Sequence, residues 1–304
     1  LVFFLIVVPR IELFSQVDYF WQEGSDRNGL WFWLYLSNLR VAWTGAWQHF
    51  ALDITWSLAI EEQFYLIWPL VVRSCSDRTL LRVCAGTAIV ALGLRIALVA
   101  AGAAPFVAYV LTPCRLDTLA TGAALAILVQ HRGLAALAPA ARRVLPAALA
   151  LFAACYVVAR TGEGAAPDPG ADAAAVAATE HALRFTTHPL IQTAGYTLLC
   201  AAYGALLVVV LAAPARSWWA RVFEVAWLRR FGHYSYALYL FHFFVGMLAA
   251  GLPFTPSRQP EWFVPAQLAF WATVIAISYA LARASWAVLE GPILSLKRHF
   301  PYRM

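Results

Sequence analysis

The sequence has 304 residues, of which 62% are hydrophobic and only 12% are charged. Soluble domains carry about 25% charged residues, so this composition excludes an ordinary soluble protein. It indicates a polytopic membrane protein whose partner is the lipid bilayer. The formal net charge is +6, but the basic residues lie mostly in short gaps between apolar runs, as membrane topology requires. Their placement argues against a nucleic-acid partner.

The first apolar run, residues 1–8, is too short to cross a bilayer, which takes about 20 residues. Because the chain also does not begin with Met, we expect this run to be the end of a truncated N-terminal helix, with earlier spans upstream. Residues 10–53 are mixed in character and are expected to form an extracytoplasmic loop. Within it, the aromatic segment 31–35 is expected to lie along the membrane surface.

Seven apolar segments follow, and they predict seven full membrane spans. With the truncated helix they indicate an all-α fold, a polytopic transmembrane helix bundle that forms one domain over residues 1–304. Basic residues cluster in alternate gaps and acidic residues lie in the others, including the expected extracytoplasmic loop 161–188. This alternation predicts a multi-pass membrane protein with a cytoplasmic C-terminus. The predicted spans are residues 54–72, 79–100, 115–130, 143–160, 189–213, 232–250 and 262–290.

Two adjacent carboxylates, Glu61 and Glu62, lie inside the first predicted full span. An acid at the centre of a span costs about 2.5–3.5 kcal/mol on insertion scales, and neither neighbour supplies a counter-charge. On a helix, Ser57, Glu61 and Tyr65 share one face. The pattern predicts a functional site that faces a polar cavity. The alternative is a structural acid that hydrogen-bonds across the bundle.

A second polar run opens the span that begins near residue 115. Arg115 and Asp117 are too close in sequence to share a helical face. If Arg115 precedes the first turn, Asp117 lies near the positive end of the helix dipole, where an acid is favoured. The run is therefore either a binding site or a helix start with an interfacial arginine.

A third run carries Ser235, Tyr239 and His242 on one helical face. His242 lies about ten residues into its span, where an imidazole can carry protons or can be a neutral residue bonded to a neighbouring hydroxyl. Near the end of the chain, Glu290 is disfavoured by the dipole at its helix C-terminus. We expect a basic partner for it, from Arg229, Arg230 or Lys297.

The sequence offers no pattern typical of a bound metal or cofactor. Its five cysteines are scattered, with none in a CxxC or a Cys/His cluster of metal-binding spacing. There is also no glycine-rich phosphate loop and no zinc signature. We therefore expect neither a metal nor a tightly bound cofactor.

Taken together, these runs resemble four motifs of the acyltransferase 3 family, membrane enzymes that O-acylate sugars. The first run, residues 56–65, resembles its Trp-Ser-Leu-x-x-Glu-x-x-Phe-Tyr signature. Residues 115–122, with Arg115, Asp117 and Gly122, resemble its Arg-x-Asp-x-x-x-x-Gly helix start. Residues 235–242 resemble its Ser-Tyr-x-x-Tyr-Leu-x-His run, and Glu290-Gly-Pro is similar to its closing Glu-x-Pro.

The resemblance implies transfer of an acyl group, commonly acetyl, from acyl-CoA as co-substrate to a hydroxyl of a cell-envelope sugar or glycolipid. It also implies a place in a bacterial inner membrane. It implies catalytic roles for Glu61, Glu62 and His242. Substrate-binding roles would fall to Ser57, Tyr65, Arg115, Asp117, Ser235 and Tyr239. The family also carries an Arg and a His about ten residues apart in its first spans, and an Arg-rich turn that engages the donor. Since this chain begins after both, we expect it to be inactive alone.

A proton-coupled transporter or flippase of a sugar or lipid-linked glycan is the competing interpretation, because buried acids and a histidine also suit proton coupling. Transporters often show inverted hydropathy repeats and helices broken at matched positions. The sequence has neither pattern, so we favour the enzyme.

Overall fold

The computed structural model describes residues 29–45, 47, 52–161, 188–249 and 263–299. All regular secondary structure in these ranges is helical, which confirms the predicted all-α class there. The expected truncated helix and nearly all of the expected loop 161–188 lie outside the described residues. The chain forms two compact units, Leu1–Ser217 and Trp218–Met304, and each is described by itself below.

The first unit contains two short helices followed by a series of longer ones. The short α1 and α2 lie in the segment that was predicted to be a loop. The helices are α1 Leu30–Trp33, α2 Ser37–Thr44, α3 Thr55–Ser74, α4 Asp77–Ala100, α5 Pro105–Val110, α6 Thr112–Arg132, α7 Leu134–Thr161 and α8 Ile191–Leu211, whose first turn is a π-helix.

Local sequence explains where α4 and α6 begin and end. The Ser76 hydroxyl accepts a hydrogen bond from the backbone N–H of Thr79 at 3.4 Å and caps α4. Asp77 lies in the first turn of that helix, where the dipole favours an acid. The helix α6 has a proline in its first turn and ends at Gly133, whose φ of 75° suits glycine.

The second unit begins with two short helices, and its core lies between the two long ones that follow. Val245 and Ala249 of one pack against Val274 of the other. The helices are α9 Trp218–Phe223, α10 Ala226–His233, α11 Ser235–Ala249 and α12 Phe263–Ser285; α12 continues through a π-turn Trp286–Glu290 and the short turns Gly291–Ser295 and Leu296–His299.

Four helices in the described residues are long and apolar enough to cross a membrane: α4, α7, α8 and the stretch Val264–His299. Helices also form at the other three predicted spans. However, α3 and α6 do not meet the same criterion of hydropathy and charge, and α11 has only 15 residues. At about 1.5 Å per residue, α11 is shorter than the hydrocarbon layer of about 30 Å. Seven full spans therefore stay a prediction.

Candidate functional site

The helix α3, which carries the first motif, places Glu61 on its exposed side. Thr55, Ala59 and Ile60 are buried, whereas Glu61 is exposed and Glu62 is partly exposed. Of the predicted stripe, Ser57 is half-buried and Tyr65 is 55% exposed. Within the described residues, Glu61 thus lies on an open face of the helix, and its predicted role there stays untested.

The inward face of α3 is fixed by a polar network that centres on Gln63. Its side-chain amide donates to the carbonyl of Tyr35 at 2.7 Å and to Oδ1 of Asn38 at 3.0 Å. Its oxygen accepts from the hydroxyl of Thr112 at 2.6 Å. Asn38 is fully buried and donates to Thr112 at 2.8 Å and to the carbonyl of Val110 at 3.1 Å. This network joins α2, α3 and the start of α6.

Arg115 lies against three aromatic rings contributed by different helices. Its guanidinium carbon is 4.9 Å from the ring centroid of Tyr196, 5.6 Å from Tyr109 and 6.0 Å from Trp56. All three distances fall within the range of cation–π attraction. The rings also contact one another, with 4.6 Å between the centroids of Trp56 and Tyr109. We call Arg115, Trp56, Tyr109 and Tyr196 the aromatic cage.

The aromatic cage also affects the ionisation of its members. Burial raises the pKa of the Tyr109 hydroxyl, and the nearby positive charge of Arg115 offsets part of that rise. Tyr109 is therefore a neutral hydrogen-bond donor at physiological pH. Among the described residues no carboxylate forms an ion pair with Arg115. The contacts of the Arg115 guanidinium that the structure describes are thus to aromatic rings.

Asp117 is held by an arginine that the sequence reading did not single out. Arg95 of α4 and Asp117 form an ion pair at 2.8 Å, and the arginine is 0% exposed. Arg95 also donates to the hydroxyl of Thr197 at 2.7 Å and to the carbonyl of Cys114. Because α6 begins at Thr112, Asp117 is in the second turn and not at the dipole end. Its charge is balanced chiefly by Arg95.

A cavity of about 490 Å³ opens beside the aromatic cage, between α6, α7 and α8. Arg115, Tyr109 and Tyr196 line one end. The rest of the lining is mostly apolar, with Gly122 and Leu125 on α6 and the side chains Phe152, Leu199, Tyr203 and Leu207 on the other helices. Glu61 is not part of this lining.

The second unit brings together the three residues predicted there. Ser235, Tyr239 and His242 all line one cavity of about 450 Å³ between α11 and α12. Nδ1 of His242 lies 2.7 Å from the carbonyl of Tyr239. Because a carbonyl only accepts, Nδ1 carries the proton and Nε2 keeps a lone pair in the neutral ring. In the described part of the chain, the hydrogen bonds of His242 thus go to backbone carbonyls and not to a neighbouring hydroxyl.

Two further observations in the second unit were not expected from sequence. Ser278, 1% exposed, lines the same cavity, and its hydroxyl has no hydrogen-bond partner among the described residues. The prediction that Glu290 pairs with a basic residue is wrong for the described residues. Its carboxylate instead accepts a hydrogen bond at 2.8 Å from the hydroxyl of Ser285, which directly precedes the π-helical segment that Glu290 ends.

Sequence reasoning therefore missed Arg95, Gln63 and Ser278. Arg95 stands alone among apolar residues inside a predicted span, and the cost of such a charge was a signal for it. Gln63 follows the two glutamates directly. Nothing in the sequence indicates that Gln63 is the residue that hydrogen-bonds to neighbouring helices. Groups of three or more His, Cys, Asp or Glu that could hold a metal do not occur in the described part of the chain.

Comparisons with known proteins confirm the resemblance to the acyltransferase 3 family over a region that contains the first three motifs. The family model of acyltransferase 3, described as an acyltransferase domain, matches residues 3–287, which includes parts of both units. The chain is similar to the peptidoglycan O-acetyltransferase OatA of Listeria monocytogenes, with 26% identity over 251 residues that cover 78% of this chain and 34% of the relative. The chain thus spans about a third of that protein's length. No solved structure shows a significant match.

Proposed function

Because the chain belongs to the acyltransferase 3 family, we propose that it forms part of a membrane-bound O-acyltransferase. The enzyme moves an acyl group, expected to be acetyl, from acyl-CoA to a hydroxyl of a cell-envelope sugar or glycolipid. The similar protein OatA is a peptidoglycan O-acetyltransferase, and this supports acetyl as the group and a cell-envelope polymer as the acceptor. We further propose seven spans with a cytoplasmic C-terminus.

One structural observation carries the proposal. In the aromatic cage, the guanidinium carbon of Arg115 lies 6.0 Å from the ring centroid of Trp56. Trp56 is the first residue of the signature, and Arg115 is the first residue of the second motif. The two motifs are far apart in sequence, and both contribute to one cluster beside a cavity of substrate size. A purely structural role for the signature would not require a cation that has no ion-pair partner among the described residues.

The reaction itself needs a base and an oxyanion stabiliser. A base removes the proton of the acceptor hydroxyl as the oxygen attacks the thioester carbonyl. The tetrahedral oxyanion then expels the CoA thiolate, which takes up a proton, and the ester remains on the acceptor. We propose that Glu61 orients the acceptor hydroxyl or the histidine expected upstream, with Glu62 beside it.

His242 is the second candidate base. Its Nδ1 proton is held by the carbonyl of Tyr239, so Nε2 is the nitrogen that can accept a proton from a substrate. Ser235 and Tyr239 line the same cavity as His242 and are proposed to bind substrate. In the first unit, Ser57, Tyr65, Arg115 and Asp117 keep the same proposed role, and Asp117 acts through Arg95.

The experiment replaces Glu61 with Gln in a longer protein that contains this chain and the spans expected upstream of it. The change removes the negative charge and keeps the side-chain shape, so we expect acylation to fall by at least about a hundredfold while membrane insertion is unchanged. Transfer is measured as ester-linked acetate released by mild base from envelope glycan. Glu224→Gln removes an exposed acid between α9 and α10 and is the matched control. Full transfer in the Glu61→Gln variant would refute the proposed role.

A further inference from the structure

The cavity beside the aromatic cage has the chemistry of an amphiphile site. One end holds a cation, and the walls away from it are mainly apolar. The lining residues of α6 run from Arg115 to Leu125, which at about 1.5 Å per residue is about 15 Å. That depth is about half of the hydrocarbon layer of about 30 Å, which is the depth that the tail of a lipid in one leaflet reaches.

No acid in the described part of the chain forms an ion pair with the cation at the cavity end. Arg95, nearby in the same unit, is neutralised by Asp117 at 2.8 Å. Arg115 has no such partner among the residues described, and its half-buried guanidinium is stacked on rings. Stacking occupies the faces of a guanidinium and leaves the N–H edge, which matches the oxygens of a phosphate.

We propose that this cavity binds a membrane lipid with an anionic phosphate head group. The phosphate lies at Arg115, and one hydrocarbon tail runs along α6 and α8 to Leu125 and Leu207. The proposal refines the substrate-binding role proposed for Arg115, and rests on that role alone and not on acyl transfer.

Two glycines with open space for a side chain provide one variant that fills the cavity and one matched control. A Cβ added at Gly122 meets no atom within 4 Å, and Gly122 lines the cavity. A Cβ at Gly86 of α4 also meets no atom within 4 Å, but Gly86 does not line the cavity. Leucine at either position favours the helix. Gly122→Leu therefore blocks the tail, and Gly86→Leu is its matched control.

The test uses photo-crosslinking of the purified full chain in lipid nanodiscs. One probe is a phosphatidic acid with a diazirine near the end of one tail; the other is the diacylglycerol with the same tails and no phosphate. Adducts are located by mass spectrometry and normalised to Leu66 of α3, which is 77% exposed and meets bulk lipid with either probe.

We expect the phosphatidic acid probe to label Leu125 or Leu207 at least about tenfold more than the diacylglycerol probe, because a charged hydrogen bond is worth such a factor. Arg115→Gln should remove that difference, Gly122→Leu should reduce the labelling, and Gly86→Leu and excess inorganic phosphate should not change it. Equal labelling by both probes, displacement by inorganic phosphate, or unchanged labelling in Arg115→Gln would overturn the proposal. Because the readout is lipid binding, loss of acyl transfer alone leaves it standing.

Discussion

Two arginines of the first unit, close to each other in the fold, are held in different ways. Arg95 is completely buried, and its two terminal nitrogens bond to a carboxylate, a hydroxyl and a carbonyl, whereas its Nε has no hydrogen-bond partner among the described residues. Arg115 is half-buried, with aromatic faces and no acid partner in the described part of the chain. Removing one partner of a buried ion pair leaves an uncompensated charge and is strongly destabilising, so Arg95 and Asp117 depend on each other, whereas Arg115 is proposed to meet a ligand.

Removing one member of the buried ion pair should destabilise the first unit strongly. We expect Asp117→Asn and Arg95→Met each to lower the free energy of unfolding by about 3–5 kcal/mol, because each leaves an unpaired buried charge. The double change Arg95→Met with Asp117→Leu should recover much of that loss. Thermal unfolding in detergent measures all three. Additive losses in the double variant would show that the two charges do not depend on each other.

The aromatic cage gives a second prediction at this scale. Trp56→Leu removes the ring that connects the signature helix to Arg115, and we expect roughly a tenfold loss of acyl transfer in the enzyme with its upstream spans. Trp43→Leu is the matched control, because Trp43 is 90% exposed. Acetate release from envelope glycan is the readout. A loss of equal size in both variants would assign the effect to membrane insertion and not to the cage.

At the scale of elements, the rotation of α3 is decided by a polar side chain. Gln63 hydrogen-bonds with groups of the α1–α2 connection, α2 and α6. One of these groups is the carbonyl of Tyr35, a non-glycine residue with a φ of 54°, which is a conformation that costs free energy outside glycine. The bonds to Gln63 help to offset that cost and set which face of α3 points inward.

Gln63→Leu should therefore weaken the packing of α2 and α6 on α3. The buried oxygen of Asn38 and the hydroxyl of Thr112 would lose a partner, and each unsatisfied buried group costs about 1–3 kcal/mol. We expect a lower unfolding temperature and faster amide hydrogen exchange in α2. Leu66→Ala on the exposed face of the same helix should change neither by a comparable amount. Wild-type exchange in Gln63→Leu would contradict this interpretation.

At the scale of the molecule, the number of helices that cross the membrane defines the topology. The seven-span prediction crosses the membrane at α6, whereas the four strongest candidates do not include α6. The two turns that flank α5 and α6 contain Gly102 and Gly133, both with positive φ and with open space for a Cβ. The side of the membrane on which each of these two positions lies therefore shows whether α6 crosses the bilayer.

We expect reporters inserted at Gly102 and Gly133 to lie on opposite sides of the membrane. Alkaline phosphatase should be active at Gly102, and a fluorescent protein should be bright at Gly133 and after the C-terminus. Basic residues follow Gly133 at Arg142 and Arg143 and precede the C-terminus at Lys297, Arg298 and Arg303, which favours the cytoplasmic side for both. Insertion at Cys75 is the control, since α4 separates it from Gly102 in either topology. The same reporter active at both Gly102 and Gly133 would exclude α6 as a span.

The amino-acid sequence by itself determined the all-helical class of the described residues and the family, because long apolar runs and four short motifs depend on local composition and spacing. It also grouped Ser235, Tyr239 and His242 correctly, since residues on one helical face stay together whatever the helix packs against. Only the tertiary structure decided which partners Arg95, Gln63 and Arg115 meet. Those contacts join helices that are distant in sequence, and their choice follows from how the helices rotate and pack, which no local pattern encodes.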